Sequence, residues 1–358
     1  MTYFSESFTM QSAAVRVRFA AGIRHELAEE IARLKTSRPL VLTTPQQADA
    51  AESFAELCCC EDVSIFTGAA MHTPVEISER ATEQARNFAA DVLVAVGGGS
   101  TTGLSKAIAL RTDLPQIIIP TTYAGSEATA ILGQTESGLK TTLTSQAVQP
   151  EVILYDPELV ATLPVALTVT SALNAMAHAA EGLYARDRSP ISSLMAVEGL
   201  RAFRSALPGL VTDPANIALR AETLYGAWLG GTVLGQVGMA LHHKLCHVLG
   251  GSFNLPHAET HAVILPHAIA FNAGAARTQL APIADLFGDP NPGLGLYRFA
   301  RSVAAPSSLR DLGLPEQELE RAALLATANP YWNPQPFDSG SILRLLRGAW
   351  IGEAPDLY

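Results

Sequence analysis

The chain has 358 residues, of which 48% are hydrophobic and 16% charged, and it carries a formal net charge of −10. That length predicts two domains, and the hydrophobic content excludes intrinsic disorder. The acidic balance excludes nucleic acid as a partner, because neutralising phosphate needs a Lys/Arg surface.

Met1 to Met10 has neither the basic segment nor the apolar run of a signal peptide. Nor does any uninterrupted apolar run reach bilayer-spanning length, so a cytoplasmic protein with no membrane association is expected. Short apolar runs follow at Val15 to Phe19, Pro39 to Thr43, Val63 to Thr67, Val92 to Val96, Gln116 to Ile119 and Val152 to Tyr155. Helical patterns lie between several of them, as at Gly22 to Leu34 and Pro74 to Ala89. Continuously apolar strands alternating with helices predict a parallel, Rossmann-like α/β sheet covered on both faces. Ala130 to Leu143, rich in Thr and Gly, reads as a hairpin or an irregular excursion. After Asp156-Pro157 the texture changes to Ala, Leu and Gly at helical spacing, punctuated by Pro190, Pro208, Pro214, Pro256 and Pro266. The expected division is an α/β dinucleotide-binding domain over 1–158 and an all-α catalytic domain over 159–358. Cys58, Cys59, Cys60 and Cys246 form no C-x-x-C metal pair and read as reduced thiols.

The segment Asp91 to Ser100 is a buried strand running into Gly97, Gly98 and Gly99, with a helix predicted from Thr101 to Arg111. Glycines let a ligand approach the backbone, and a helix N-terminus offers unpaired N–H groups to phosphate. Ser100 and Thr101 add hydroxyls. The strand at Ile117 to Pro120 delivers Thr121, Thr122 and Ser126 at its carboxyl end, where parallel sheets bind ligands. Together these predict a pyrophosphate site, although a plain glycine turn and ordinary loop capping would give the same residues.

Seven of the nine histidines fall between His178 and His267. Asn174 and His178 are four residues apart and share a helix face, as do His243 and His247. His242, His257, His261 and His267 complete the group. Each buried imidazole needs a partner, so several on apolar helices predict a site rather than scattered core histidines.

Gly97-Gly-Gly-Ser, Pro120-Thr-Thr-x-x-Gly-Ser-Glu-x-Thr129, Asp156-Pro, Asn174-Ala-x-x-His178 and His243-x-x-x-His247-x-Leu-Gly-Gly-x-x-x-x-Pro-His257 occur in this order. The ordered set resembles the iron-containing alcohol dehydrogenase family over almost the whole chain. The resemblance implies NADH or NADPH as cofactor, a catalytic cleft between the two domains, and a homodimer. It puts the family's metal ligands at Asn174, His178, His243 and His257, where metal-dependent members have aspartate first. An amide there, Gly103 in place of a family aspartate, and the runs Leu309 to Pro315 and Pro330 to Pro334 resemble a branch that works without metal. That branch reduces the C=C bond of a conjugated keto-dicarboxylate in aromatic-compound breakdown. No metal is therefore expected, and a small dicarboxylate is the expected substrate.

On this reading His243 and His178 polarise the substrate, with His243 the first choice for proton donor and His247 near the nicotinamide. His242, Lys244 and His257 are candidates for the carboxylates, and Asn174 and Tyr331 for further substrate contacts. Lys244 also reads as a solvated lysine, and Tyr331 as core packing beside Trp332. Lys140 would lie near the cofactor ribose. Thr44 stands where many relatives have an aspartate that repels a 2′-phosphate, so both cofactors are expected to work. The alternative left open is a metal-dependent dehydrogenase of small alcohols or carbonyls.

Overall fold

The computed structural model describes residues 8–10, 14–136, 139–329 and 331–356, with Leu139 and Lys140 described by backbone alone. It separates into two compact units, Ser12–Leu163 and Pro164–Tyr358 together with Met1–Gln11.

In the first unit the elements run β1 (Arg16–Phe19), α1 (Leu27–Arg33), β2 (Pro39–Leu42), α2 (Ala48–Leu57), β3 (Ser64–Phe66), α3 (Val75–Phe88), β4 (Val92–Gly97), α4 (Gly99–Thr112), β5 (Gln116–Pro120), β6 (Ile131–Glu136), β7 (Leu139–Thr144) and β8 (Val152–Tyr155). Six strands form one sheet in the order β1-β8-β5-β4-β2-β3, every pair parallel. Side chains alternate faces along each strand. Val41, Val92, Val94, Ile117 and Ile119 pack on one face with Leu27, Ile31 and Phe54. Leu40, Leu42, Leu93, Ala95 and Ile118 pack on the other with Ala81, Ala85, Leu104 and Ile108. This two-sided burial is why the strands read as unbroken apolar runs. The excursion after β5 is an antiparallel hairpin of β6 and β7.

The chain order reverses between the adjacent strands β4 and β2, and a crevice opens at such a reversal beyond the carboxyl ends. At the end of β8 the Asp156 carboxylate, wholly buried, accepts from Gly22 N (3.0 Å), Glu158 N (3.1 Å) and the Arg24 guanidinium (2.7 Å). The Asp-Pro motif thus ties β8 to the turn after β1.

The second unit consists of α5 (Val165–Gly182), α6 (Pro190–Thr212), α7 (Ile217–Gln236), α8 (Leu241–Phe253), α9 (His257–Asn272), α10 (Arg277–Phe287), α11 (Pro292–Ser302), α12 (Leu319–Thr327) and α13 (Ser339–Ile351), with no strand among its described residues. Two prolines read as breaks behave otherwise. Pro208 lies inside α6 and Pro266 inside α9. An interior proline forfeits a hydrogen bond, but burial along the helix face outweighs that local cost. Pro266, for example, sits in a buried run from Thr260 to Asn272. Where α7 crosses α5, a Cβ on Gly230 would come within 2.6 Å of the Ala175 carbonyl oxygen, so only glycine permits that approach.

Candidate active site

In the α/β unit, β4 ends at Gly97 and α4 begins at Gly99, two residues earlier than the sequence pattern indicates. Gly97 has φ 154°, and a Cβ there would fall 2.3 Å from Thr101 Oγ1. A Cβ on Gly98 would fall 2.8 Å from Thr122 Cγ2, while at Gly99 nothing lies within 4 Å. Thr121 N donates to Gly97 O (3.0 Å), so the glycine turn and the end of β5 are held side by side. Gln47, which the sequence reading passed over, comes from the turn after β2 and donates from Nε2 to Thr121 Oγ1 (3.1 Å). Its backbone N–H bonds Thr44 O.

Gly97, Gly98, Gly99, Ser100, Thr101, Thr121, Thr122 and the Thr44 turn thus converge at the strand reversal. Open space over Gly99 and the first N–H groups of α4 fit a pyrophosphate. The buried Thr101 hydroxyl, which has no protein partner, adds a donor. Gly98→Ala is therefore expected to raise KM for NADH about tenfold or more with kcat little changed, as steady-state kinetics would read out.

Ser126 enters differently, through its carbonyl. Lys106 is fully buried, and its ammonium donates to Ser126 O (2.7 Å), Thr129 O (2.7 Å), Thr129 Oγ1 (3.0 Å) and Ile131 O (2.9 Å). Beside it, buried Glu127 accepts from the Tyr155 hydroxyl (3.0 Å). Lys106 thus pins the hydroxyl-rich loop from beneath, a role no local motif announced. The Lys140 side chain lies outside the described residues.

In the helical unit, α5 contributes Asn174 and His178, α8 His242, His243 and His247, and α9 His257 and His261, while His267 is buried farther along α9. The rings of His178 and His243 stack with centroids 5.1 Å apart. His257 meets His261 at 4.4 Å, and His261 meets His243 at 5.1 Å. Helical spacing explains the convergence, since His243 and His247 lie one turn apart with centroids at 6.1 Å.

Glu181, the residue the sequence reading missed, organises the cluster. It is wholly buried one turn beyond His178 on α5. Its oxygens accept from the N–H of His242 (3.0 Å) and of His243 (3.3 Å) at the start of α8. They also accept from the Tyr184 hydroxyl (3.0 Å) and from His243 Nδ1 (2.5 Å). An anion at a helix N-terminus is favoured by the backbone dipoles. Burial alone would push this carboxyl up, but the His243 hydrogen bond and the nearby imidazoles bring it down to about 2. The signal available in the sequence was a lone carboxylate on an otherwise apolar helix face, at i+3 from His178.

Because His243 Nδ1 faces Glu181, its Nε2 points elsewhere and has no protein partner, as is also true of Asn174 Oδ1 and His178 Nδ1. Burial, reinforced by the neighbouring imidazoles, holds His178 well below its ordinary value, so it is neutral at neutral pH. One expectation needs correcting. His242 does not face a substrate. Its ring is wholly buried, with Nε2 at 2.9 Å from His261 Nδ1. Cys246, a free thiol as expected, lies 3.7 Å from that same Nε2. His247 and His257 are exposed, and half-buried Lys244 lies over the Tyr331 ring at 5.8 Å. The Tyr331 hydroxyl is buried without a partner, and its ring packs on Phe337 at 4.8 Å, so it belongs to both the core and the cluster's edge. Trp332 is exposed rather than packed.

The inherited metal positions supply three imidazoles and an amide oxygen, and no anionic donor. Such a set holds a divalent ion weakly, although the Glu181–His243 bond is the kind that orients a metal-binding imidazole.

Two family models cover most of the chain. Residues 14–157 match iron-containing alcohol dehydrogenase, and residues 168–350 match the C-terminal part of the Fe-containing alcohol dehydrogenase family. A maleylacetate reductase of Rhizobium sp. (strain MTP-10005) is 56% identical over 98% of this chain and 100% of its own. One from Burkholderia cepacia is 48% identical over 98% and 99%. The crystal structure of maleylacetate reductase from Agrobacterium tumefaciens, 57% identical, superposes with a TM-score of 0.96 over 98% of this chain and 100% of that one.

Proposed function

This chain belongs to the iron-containing alcohol dehydrogenase family and is an oxidoreductase, and from that premise we propose that it reduces maleylacetate to 3-oxoadipate with NADH or NADPH and without a metal ion. The observation that carries the reading is the pairing of Glu181 with His243 beside a neutral Asn174. The homologues named above support the substrate. Assembly as a homodimer is part of the same proposal.

A dinucleotide held at the glycine turn would supply the hydride for the alkene carbon β to the ketone. Negative charge then develops on the ketone oxygen, and the protein must stabilise it. With Nδ1 donating to Glu181, His243 Nε2 carries a hydrogen only when the ring is protonated, and Glu181 is that ring's counter-ion. A protonated His243 donates to the developing oxyanion and then releases its proton to the neighbouring carbon. Neutral His178, stacked against it, offers its own N–H to the same oxygen. Lys244, half-buried, is the cation proposed for the carboxylates, with the exposed His257 ring beside His261 as a second polar contact. At Thr44 no carboxylate repels a 2′-phosphate, which is the basis for accepting both cofactors.

The test is NADH oxidation, followed by absorbance, with maleylacetate before and after exhaustive chelation, alongside elemental analysis. Turnover should survive the chelator essentially undiminished. If it vanishes and returns with added Fe²⁺ or Zn²⁺, the metal-dependent alternative replaces this one.

A further inference from the structure

The four inherited positions do not exhaust the metal-ligating groups of the helical unit. Cys246 stands one turn beyond His242 on α8, so thiol and ring face the same side, and His261 meets them from α9. Their donor atoms all lie within 4.8 Å of one another. We propose that His242, Cys246 and His261 form a second ion site, suited to a borderline-soft cation such as Zn²⁺, whose occupation inhibits the enzyme. The proposal rests on these residues alone and stands apart from the choice of substrate.

The geometry is close to what such an ion needs. A tetrahedral zinc centre puts two imidazole nitrogens about 3.3 Å apart, and a nitrogen and a sulfur about 3.6 Å apart. Here His242 Nε2 and His261 Nδ1 are 2.9 Å apart, and Cys246 Sγ is 3.7 Å from His242 Nε2. The sulfur already stands at that spacing from His242, and the two rings have to open by a few tenths of an ångström.

The proton balance also closes. Without an ion, a single hydrogen is shared between the two facing ring nitrogens. Their outer nitrogens, His242 Nδ1 and His261 Nε2, are buried and have no partner. When an ion binds, the shared hydrogen moves to an outer nitrogen, which frees both inner lone pairs. Cys246, which burial otherwise keeps as the thiol, releases its proton to solvent. The resulting thiolate is the anionic donor that the set of Asn174, His178, His243 and His257 lacks. A soft anion with two imidazoles selects zinc-like ions, so an added ion goes here in preference to the neutral set.

Inhibition follows from position. The His243 ring lies 5.1 Å from the rings of both His242 and His261. Opening those two rings around an ion displaces the His243 ring that packs against both, and with it the atom from which His243 donates.

The experiment uses chelator-stripped full-length enzyme incubated with Co²⁺, then with Zn²⁺. Cobalt should bind one per chain and give a near-ultraviolet sulfur-to-metal charge-transfer band. That band should be lost in Cys246→Ala and kept in His178→Asn. Zinc should lower turnover of the parent at least tenfold, reversibly with chelator, and leave Cys246→Ala unaffected. Absence of the sulfur band in the parent overturns the site whether or not the variant folds. So does a band that survives Cys246→Ala, or one that disappears with His178→Asn alone. Because the spectrum is read without substrate, a failure here is distinct from a failure of the maleylacetate assignment.

Discussion

Glu181→Gln is expected to lower kcat/KM about 10³-fold with KM for NADH unchanged. The amide has nearly the same shape, so the packing around α5 survives. What it removes is the negative charge that orients the His243 ring and balances its protonated form. Replacing a buried carboxylate behind a catalytic imidazole costs about 10⁴ in kcat in the serine hydrolases, where the amide favours the wrong tautomer, so a loss of 10³ is a conservative expectation. The same occurs here. An amide can turn its NH₂ toward Nδ1, which moves the imidazole hydrogen to Nε2 of a ring that no longer charges. A loss smaller than tenfold would show that His243 does not act as the acid.

The same residue sets an acid limit on stability. Its folded value of about 2 lies below the ordinary 4.5, so the folded state holds the carboxylate more tightly than the unfolded chain does. Stability from this group is complete above the unfolded value and is lost as the pH falls from about 4.5 toward 2, in total roughly 3 kcal/mol. Denaturant midpoints measured across that window should fall less steeply in Glu181→Gln than in the parent, the slope that remains coming from buried imidazoles such as His242, held down to about 3, and His267, held down to about 4.

Much of the architecture was legible because the two periodicities differ so plainly. Strands such as Val92–Gly97 and Gln116–Pro120 are buried on both faces and so unbroken in sequence, while the Ala/Leu-rich second half carries only the helical period. The glycine turn and the convergence of histidines from α5, α8 and α9 could be anticipated, because residues one turn apart share a face. What could not be read were contacts made through long-range partners. Glu181 bonds α8 from α5 across some sixty residues, and Lys106 grips carbonyls of a loop twenty and more residues away. Lys106 carries no local signature at its position, and Glu181 only that of a carboxylate one turn from His178. Direction was equally hidden: His242 and His243 are adjacent, yet one turns toward His261 and the other toward Glu181. Sequence fixes which residues occupy the first turn of a helix, but the neighbouring helices decide where each side chain goes. Pro208 and Pro266 teach the converse, since a local breaker yields where packing on both sides sustains the helix.

Asn174→Asp should convert the neutral donor set into one that holds an ion. Asn174 Oδ1 is buried without a partner and shares an α5 face with His178, whose ring stacks on His243. A carboxylate in its place adds a unit negative charge close to where an ion would be bound. At about 4 Å and an effective dielectric near 20, that is worth on the order of 4 kcal/mol per unit of ionic charge. Desolvating the carboxylate takes back a large part. A gain of about 100-fold in Zn²⁺ affinity is the expected balance. It should be measured by calorimetric titration with Cys246→Ala as the background, so that the thiol does not compete. The accompanying change in activity has a sign. An ion at these positions occupies His243 Nε2, the atom from which the proton is given, so maleylacetate reduction by Asn174→Asp should fall as metal is added and recover on chelation. Should the titration show binding no tighter than in the parent, the amide is not what keeps these imidazoles free for the substrate. The neutrality of residue 174 would then lose its place in the mechanism.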